Sequence, residues 1–216
     1  MNLVRHPAKF SDVLLPIFED VSNKYFPDGK ILDPFAGTGE KIKKLFGDRV
    51  VTLEIEPEWA FMQNDVQGDA TQLPFRNENF QAILTSITYG NRMADCHNAR
   101  DSSRRNTYTH VIGHNLHDNN TGKMNWGKKY RDMHALAWKE CCRVLKPSGY
   151  IVLNISNHIR KGKEIDVSGW HRDLIVSWGL TLQEEILVPT PRLRYGANSN
   201  LRVDNEKVII FQKETQ

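Results

Sequence analysis

Apolar positions along the chain fall into short runs that alternate between two periods. Between residues 7 and 26, Phe10, Val13, Leu14, Ile17, Phe18, Val21 and Tyr25 recur at three- and four-residue intervals, the stripe of an amphipathic helix. Pro16 interrupts the stripe, so the helix is expected to start late or to kink there. "KILDPF" reads as a short apolar strand, "GTGEKIKKLF" as a turn and a helix, and "RVVTLEIEP" as a second strand rich in β-branched residues. "PEWAFMQN" is helical, "DVQGDA" a short third strand and "FQAILTS" a fourth. A helical stripe returns from Lys128 to Lys146 through Tyr130, Met133, Ala137, Cys141 and Val144, and "KPSG" should stop it. "GYIVLNIS" is a fifth strand, "GWHRDLIVSW" a helix, and "LTLQEEILV" and "EKVIIFQK" the sixth and seventh strands. Trp138 and Trp178 fall on helical patterns and are expected in the core. Strands alternating with helices predict an α/β protein, with a mostly parallel sheet covered on both faces.

Residues 90–127 follow neither period, and a loop of that length inside a compact domain is usually functional or disordered. Charge makes the segment more interesting. Residues 90–131 hold eight Lys/Arg against three acids, a local +5 in a chain whose net charge is +3. The remaining composition is ordinary. At 216 residues, 39% hydrophobic and 25% charged, one domain spanning 1–216 with a basic insertion at 90–131 is expected. No apolar run reaches 18 residues and "MNLVRHPAKF" lacks a signal-peptide core, so neither a membrane span nor export is expected. Three cysteines, Cys96 and the adjacent pair Cys141 and Cys142, make no disulfide framework and read as reduced cytoplasmic thiols.

The chemistry concentrates at strand ends. In "DPFAGTGE", Asp33 closes the first strand, and Gly37 and Gly39 precede a helix, where glycine lets the backbone turn tightly and approach a ligand. The spacing is neither GxGxxG nor GxxxxGK[ST], which argues against dinucleotide and nucleoside-triphosphate sites. Glu54 ends the second strand, where an acid accepts hydrogen bonds from ribose hydroxyls. Asp69, in Gly68-Asp69-Ala70, is placed to accept from an adenine amino group, with the Ala70 amide donating to a ring nitrogen. The ordered set describes a nucleoside site across the carboxyl ends of three parallel strands.

"DPFAGTGE", "LEIEPEW", "GDATQLPF" and "ILTSITYGNR", in that order, resemble the motifs of class I S-adenosylmethionine-dependent methyltransferases. They look most like the bacterial and phage enzymes that methylate exocyclic amino nitrogens of adenine or cytosine in DNA. "RHPAKFSDVLLPIF" resembles the family's helix that closes over the methionine part of the cofactor, and "RLRYGANSNLRVDNEKVIIFQK" its terminal hairpin. The resemblance covers about four-fifths of the chain, leaving out the 90–127 loop. It implies a Rossmann-like seven-stranded sheet with the last strand antiparallel, and S-adenosylmethionine bound by Asp33, Pro34, Phe35, Ala36, Gly37, Gly39, Glu54, Ile55, Asp69 and Ala70, with Asp33 near the methionine amine.

In that family the fourth strand ends in Asp, Asn or Ser, two prolines and an aromatic. Here the stretch is Ser86-Ile87-Thr88-Tyr89: the hydroxyl and the ring match, and both prolines are missing. The resemblance implies that Ser86 and the Ile87 carbonyl orient the target nitrogen, that Tyr89 stacks on the base, and that Thr88 adds a hydroxyl near it. Without prolines φ is not pre-set, so the geometry must come from packing. The basic loop then reads as a target-recognition element, with Asn91, Arg92, Arg100, Arg104, Arg105 and Lys123 on phosphates or base edges. A target inside a duplex must be flipped out to be reached.

Alternatives stay open. An RNA base methyltransferase uses the same strand end, "ECCRVLKPSGYIVLN" also suits small-molecule methyltransferases, and the missing prolines fit a cofactor-binding, nucleic-acid-binding protein with altered or lost catalysis. His110, His114 and His117, with Cys96 or His97, raise a metal reading, but no CxxC or HExxH accompanies them and no metal is expected. Asn154-Ile155-Ser156 ends the fifth strand on the substrate side and is either pocket lining or strand capping. Asp166 and His171 lie near the expected rim without an assigned role. The expected location is the cytoplasm of a bacterium or a phage-infected cell.

Overall fold

A computed structural model describes residues 6, 11–90, 111–190 and 201–215. Helix α1 spans Leu14–Tyr25, and Pro16 falls in its first turn, where a missing N–H costs nothing. The late start is therefore the outcome. Strand β1 (Ile31–Asp33) is buried throughout, as a central parallel strand should be. Then come α2 (Glu40–Phe46), β2 (Val50–Glu54), α3 (Pro57–Gln63) with proline at its first position, and β3, which is only Val66–Gln67. The third strand is thus shorter than expected and stops just before Gly68-Asp69-Ala70, which lie outside it and lead into a turn at Ala70. Strand β4 is Phe80–Ser86.

Helix α4 (Lys128–Val144) runs directly into β5 (Leu145–Ile155). A short hairpin, β6 (His158–Arg160) and β7 (Lys163–Ile165), follows; the periodicity gave no sign of it. Helix α5 (Val167–Ser177) is N-capped by Asp166, which accepts from the Gly169 amide, and β8 (Leu180–Pro189) and β9 (Asn205–Lys213) complete the sheet. Trp138 is fully buried, but Trp178 is 42% exposed. It caps the C-terminus of α5, where the helical stripe has run off the sheet, so its expected place in the core is corrected.

The seven-stranded sheet has the order β3-β2-β1-β4-β5-β9-β8. β1, β2, β3, β4 and β5 pair in parallel, and β9 is antiparallel to both its neighbours, β5 and β8. Alternate residues feed two cores. Ile83, Ile151, Leu153, Ile209 and Phe211 join Trp138, Cys141 and Val144 of α4 and Val167 and Ile175 of α5. Ala82, Leu84, Val152, Val208 and Ile210 meet Leu14, Phe18 and Val21 of α1 and Ile42 and Phe46 of α2 on the other face. Truncating a side chain as enclosed as Phe18 would cost about 3–5 kcal/mol. The chain leaves β1 toward β2 and β3, then returns to β4 on β1's other side. This reversal makes a topological switch point, and the crevice for a ligand opens at the carboxyl ends of the strands there. Among the described residues, no helix is long and apolar enough to cross a membrane.

Candidate functional site

The carboxyl ends of β1, β2 and β4 surround one continuous cavity of about 260 Å³. Its glycine wall turns through two left-handed residues, Gly37 at φ 59° and Gly39 at φ 69°. A side chain at Gly39 would also sit 2.9 Å from the Asn64 carboxamide oxygen, and one at Gly37 would crowd the His6 ring. The turn is tied down by the Ala36 amide donating to the Leu53 carbonyl and by Asn64 donating to the Gly37 carbonyl.

Glu54 is buried at the end of β2. Its Oε2 accepts from the Gly37 amide at 3.0 Å and its Oε1 from the Glu56 amide at 2.9 Å. Each oxygen keeps one lone pair, enough for the two hydroxyls of a ribose. Burial pushes its carboxyl up to about 7 and the charge of neighbouring Glu56 adds to the rise, while the amides of Glu56, Gly37 and Ile55 oppose it. Asp33 lies beneath the pocket rather than in its lining; its Oδ1 accepts from the Thr85 hydroxyl at 2.7 Å and the Phe35 amide at 3.1 Å. Burial raises it to about 6. Asp69 lines the cavity, with Oδ1 on the Thr71 amide and hydroxyl and Oδ2 accepting from Asn119 at 2.7 Å. Burial pushes it up, but the hydrogen bonds from Asn119 and Thr71 outweigh that and hold it below the ordinary carboxylate range.

Pro34, Phe35, Ala36, Gly37, Gly39, Glu54, Ile55, Asp69 and Ala70 share this cavity with Ser86, Ile87, Thr88 and Tyr89. Of the cofactor and acceptor residues named from sequence, Asp33 alone is missing from the lining. Ser86 Oγ accepts from Asn154 Nδ2 at 3.0 Å, which leaves its own O–H and one lone pair for a ligand. The same Asn154 nitrogen donates to Glu206 at 2.7 Å. Asn154 therefore sits behind the pocket, and Glu206, buried at the start of β9, lines it.

A chain of hydrogen bonds fixes the turn at residues 87–90. Trp138 Nε1 donates to His171 Nδ1 at 2.9 Å. An indole nitrogen is only a donor, so His171 Nδ1 is the acceptor and the ring proton sits on Nε2. Burial, with His134 beside it, pushes the His171 imidazole well below the ordinary range and keeps it neutral. Nε2–H thus donates to the Tyr130 hydroxyl at 3.0 Å, and Tyr130 donates to the Thr88 carbonyl at 2.6 Å. The Thr88 hydroxyl bonds Thr121 at 2.8 Å, and the Trp126 amide donates to the Gly90 carbonyl at 2.6 Å. These contacts hold the turn that lacks prolines.

The rest of the insertion is divided. Asn91, Arg92, Cys96, His97, Arg100, Arg104, Arg105, Tyr108 and His110 lie outside the described residues. Lys123 is described; its ammonium donates to Asp118 at 2.7 Å and to the Leu116 carbonyl at 3.0 Å. His114 pairs with Glu58, and His117 Nδ1 accepts from the Asn119 amide. His6, in the stretch expected to close over the cofactor, lines the cavity, whereas sequence reasoning missed Lys41, Ile42, Asn119, Asn120, Thr121, Met133 and Glu206. The signal available for Asn119, Asn120 and Thr121 was the polar Asn-Asn-Thr run in a loop without periodicity, in which Asn120 also caps the 3-10 turn Thr121–Lys123.

No protein-family model matches the chain, and no curated relative is detected by sequence. Among solved structures it is similar to the [4+2]-cyclase SpnF, with 13% identity over 97% of this chain and 84% of that one and a TM-score of 0.61. It is also similar to an S-adenosylmethionine-dependent methyltransferase from Methanosarcina mazei (14%, 93% and 98%, TM-score 0.57). A third is a candidate sarcosine dimethylglycine methyltransferase from Galdieria sulphuraria (14%, 94% and 85%, TM-score 0.55). The shared feature is the Rossmann-like fold of class I methyltransferases. A fold does not fix a reaction, and a cyclase is among the three.

Proposed function

We propose that the chain binds S-adenosylmethionine and transfers its methyl group to an exocyclic amino nitrogen of a DNA base, adenine N6 or cytosine N4. The observation that carries this reading is the single cavity in which Glu54 and Asp69 share space with Ser86-Ile87-Thr88-Tyr89. The bound cofactor supplies an electrophilic methyl on a sulfonium. The chain supplies position: Glu54 takes ribose hydroxyls, the turn Pro34–Gly39 borders the methionine part, and Ser86 and the Ile87 carbonyl accept the amino hydrogens. Tyr89 stacks on the base. Orientation of this kind lowers a barrier without a covalent nucleophile, and displacement of about 1 Å can cost on the order of 100-fold in rate. The basic segment 90–131 supports a nucleic-acid target.

A second reading, a small amine as acceptor, is favoured by one observation. Thr121 and Trp126 bond Thr88 and Gly90, walling the acceptor turn from outside. The test is methyl transfer from labelled S-adenosylmethionine to unmodified duplex DNA, with RNA, free nucleosides and small amines in parallel, followed by mass spectrometry. Labelled methyladenine or N4-methylcytosine in DNA supports the first reading. Label confined to RNA, or to nucleosides and amines, moves the substrate elsewhere, and cofactor binding without label removes the catalytic assignment.

A further inference from the structure

Residues 114–123 are strapped across the nucleoside end of the cavity by contacts distant in sequence. Leu116 packs on the buried indole of Trp59. Glu56, itself buried, accepts from the His117 amide and from Asn120 Nδ2, both at 2.8 Å on Oε1. Asn120 in turn accepts from the Gly122 amide at 2.9 Å. Between these anchors Asn119 faces Asp69, and both line the cavity.

An ionised carboxylate only accepts, so the Asn119 atom 2.7 Å from Asp69 Oδ2 is the amide nitrogen, and its Oδ1 points the other way. Asp69 cannot swing, because the Thr71 amide and hydroxyl each hold its Oδ1 at 2.8 Å. The Asn119 amide is thereby fixed with one N–H and its carbonyl oxygen still to be satisfied. That donor–acceptor pair is the complement of an adenine edge, which offers an amino hydrogen beside a ring nitrogen; a side-chain amide reads adenine in this bidentate way. A 6-oxo purine presents an acceptor where adenine presents the amino group and leaves the amide carbonyl facing an oxygen.

We propose that Asn119 reads the adenine edge of the nucleoside, with Asp69 aiming it, so that the strap 114–123 completes the cofactor site. The inference rests on the S-adenosylmethionine reading and deepens it: the insertion serves the cofactor as well as the target. It also changes the role of Asp69, from direct contact with the base to orientation of the residue that makes the contact.

The test is calorimetric titration with S-adenosylhomocysteine and its 6-oxo counterpart S-inosylhomocysteine, on wild type and Asn119→Ala, with thermal melting to verify folding. Wild type should prefer the adenine form by roughly tenfold or more, the scale of one buried polar mismatch. Asn119→Ala should weaken the adenine form by about tenfold or more and bring the two ligands within a few-fold of each other. Discrimination kept intact in Asn119→Ala overturns the proposal and returns base reading to Asp69. Equal affinity of wild type for both ligands overturns it without any variant. If wild type binds neither ligand, the cofactor reading itself fails, and the inference with it.

Discussion

The Tyr130 hydroxyl lies 2.6 Å from the Thr88 carbonyl oxygen and donates to it, while accepting from His171 at 3.0 Å. Polarity along this chain is forced from one end, since Trp138 can only donate. Tyr130→Phe leaves two groups unpaired, the buried His171 Nε2–H and the part-buried Thr88 carbonyl. The expected loss of stability is about 2–6 kcal/mol in urea unfolding, from roughly 1–3 kcal/mol for each unsatisfied group. Hydrogen exchange of the amides at 87–90 should rise more than that of β1. A variant with wild-type stability and unchanged exchange would show that the turn is held by packing alone.

Cofactor affinity should depend on pH through Glu54. Its carboxyl is pushed up to about 7 by burial, and only the ionised form offers both oxygens to ribose hydroxyls. Affinity for S-adenosylhomocysteine is therefore expected to fall by up to about tenfold per unit as pH drops below 7. Glu54→Gln should flatten that dependence and Glu54→Ala should weaken S-adenosylmethionine binding at neutral pH. Calorimetry on the three proteins from pH 5.5 to 8.5 checks it; an unchanged affinity in Glu54→Ala removes the residue from the site.

Stability on acidification should reflect two opposing sets of groups. Burial lowers His134 to about 4 and holds His171 well below the ordinary range, so below their unfolded values near 6.5 the unfolded chain binds more protons. Their contribution is full above about 6.5 and is lost as pH falls. Burial raises Glu54 to about 7 and Asp33 to about 6, so from their unfolded values near 4 upward the folded chain binds more protons. Their contribution is full at low pH and is lost as pH rises through the folded values. The two sets oppose each other between about 4.5 and 6. Glu54→Gln removes part of one set, and acid should then destabilise the protein more steeply, by up to about 1.4 kcal/mol per pH unit. Parallel slopes for wild type and variant in urea titrations across that range would contradict the buried state of Glu54.

If the basic segment neutralises phosphates, DNA affinity should fall steeply with salt, with a log–log slope of about −0.9 for each phosphate contacted. Fluorescence anisotropy on a labelled duplex between 50 and 300 mM salt measures it. A flat response would take the segment out of the nucleic-acid reading and favour the small-amine acceptor.

Local chemistry carried much of this structure in the sequence. The run "FQAILTS" is β4 from its first residue to its last, because a buried parallel strand is apolar almost throughout. The stripe beginning at Lys128 is α4, and Gly37, Glu54, Asp69 and Ser86 stand at strand ends that face one cavity. What escaped depends on long-range polar contacts that leave no period. Asn119 meets Asp69 across 50 residues, and Trp138 meets His171 across 33. Glu206 belonged to a strand legible by its apolar core, but nothing local said that its carboxylate faces the pocket. The hairpin His158–Ile165 is too short and too exposed to show alternation. Asp33 was read correctly as a strand end, yet its side chain turns inward to Thr85, a choice made by the neighbouring strand.

The division of the insertion bears on how it can be exchanged. In a chain whose target is chosen by a loop, retargeting is attempted by transplanting that loop from another protein. Here the stretch from His114 onward is mortised into Glu56, Glu58, Asp69 and Thr88. A graft cut at residue 90 and rejoined at 127 would carry away Asn119, Asn120 and Thr121, which are part of the cavity wall. A seam placed ahead of His114 keeps that wall, and it marks where the replaceable cassette ends and the chassis begins.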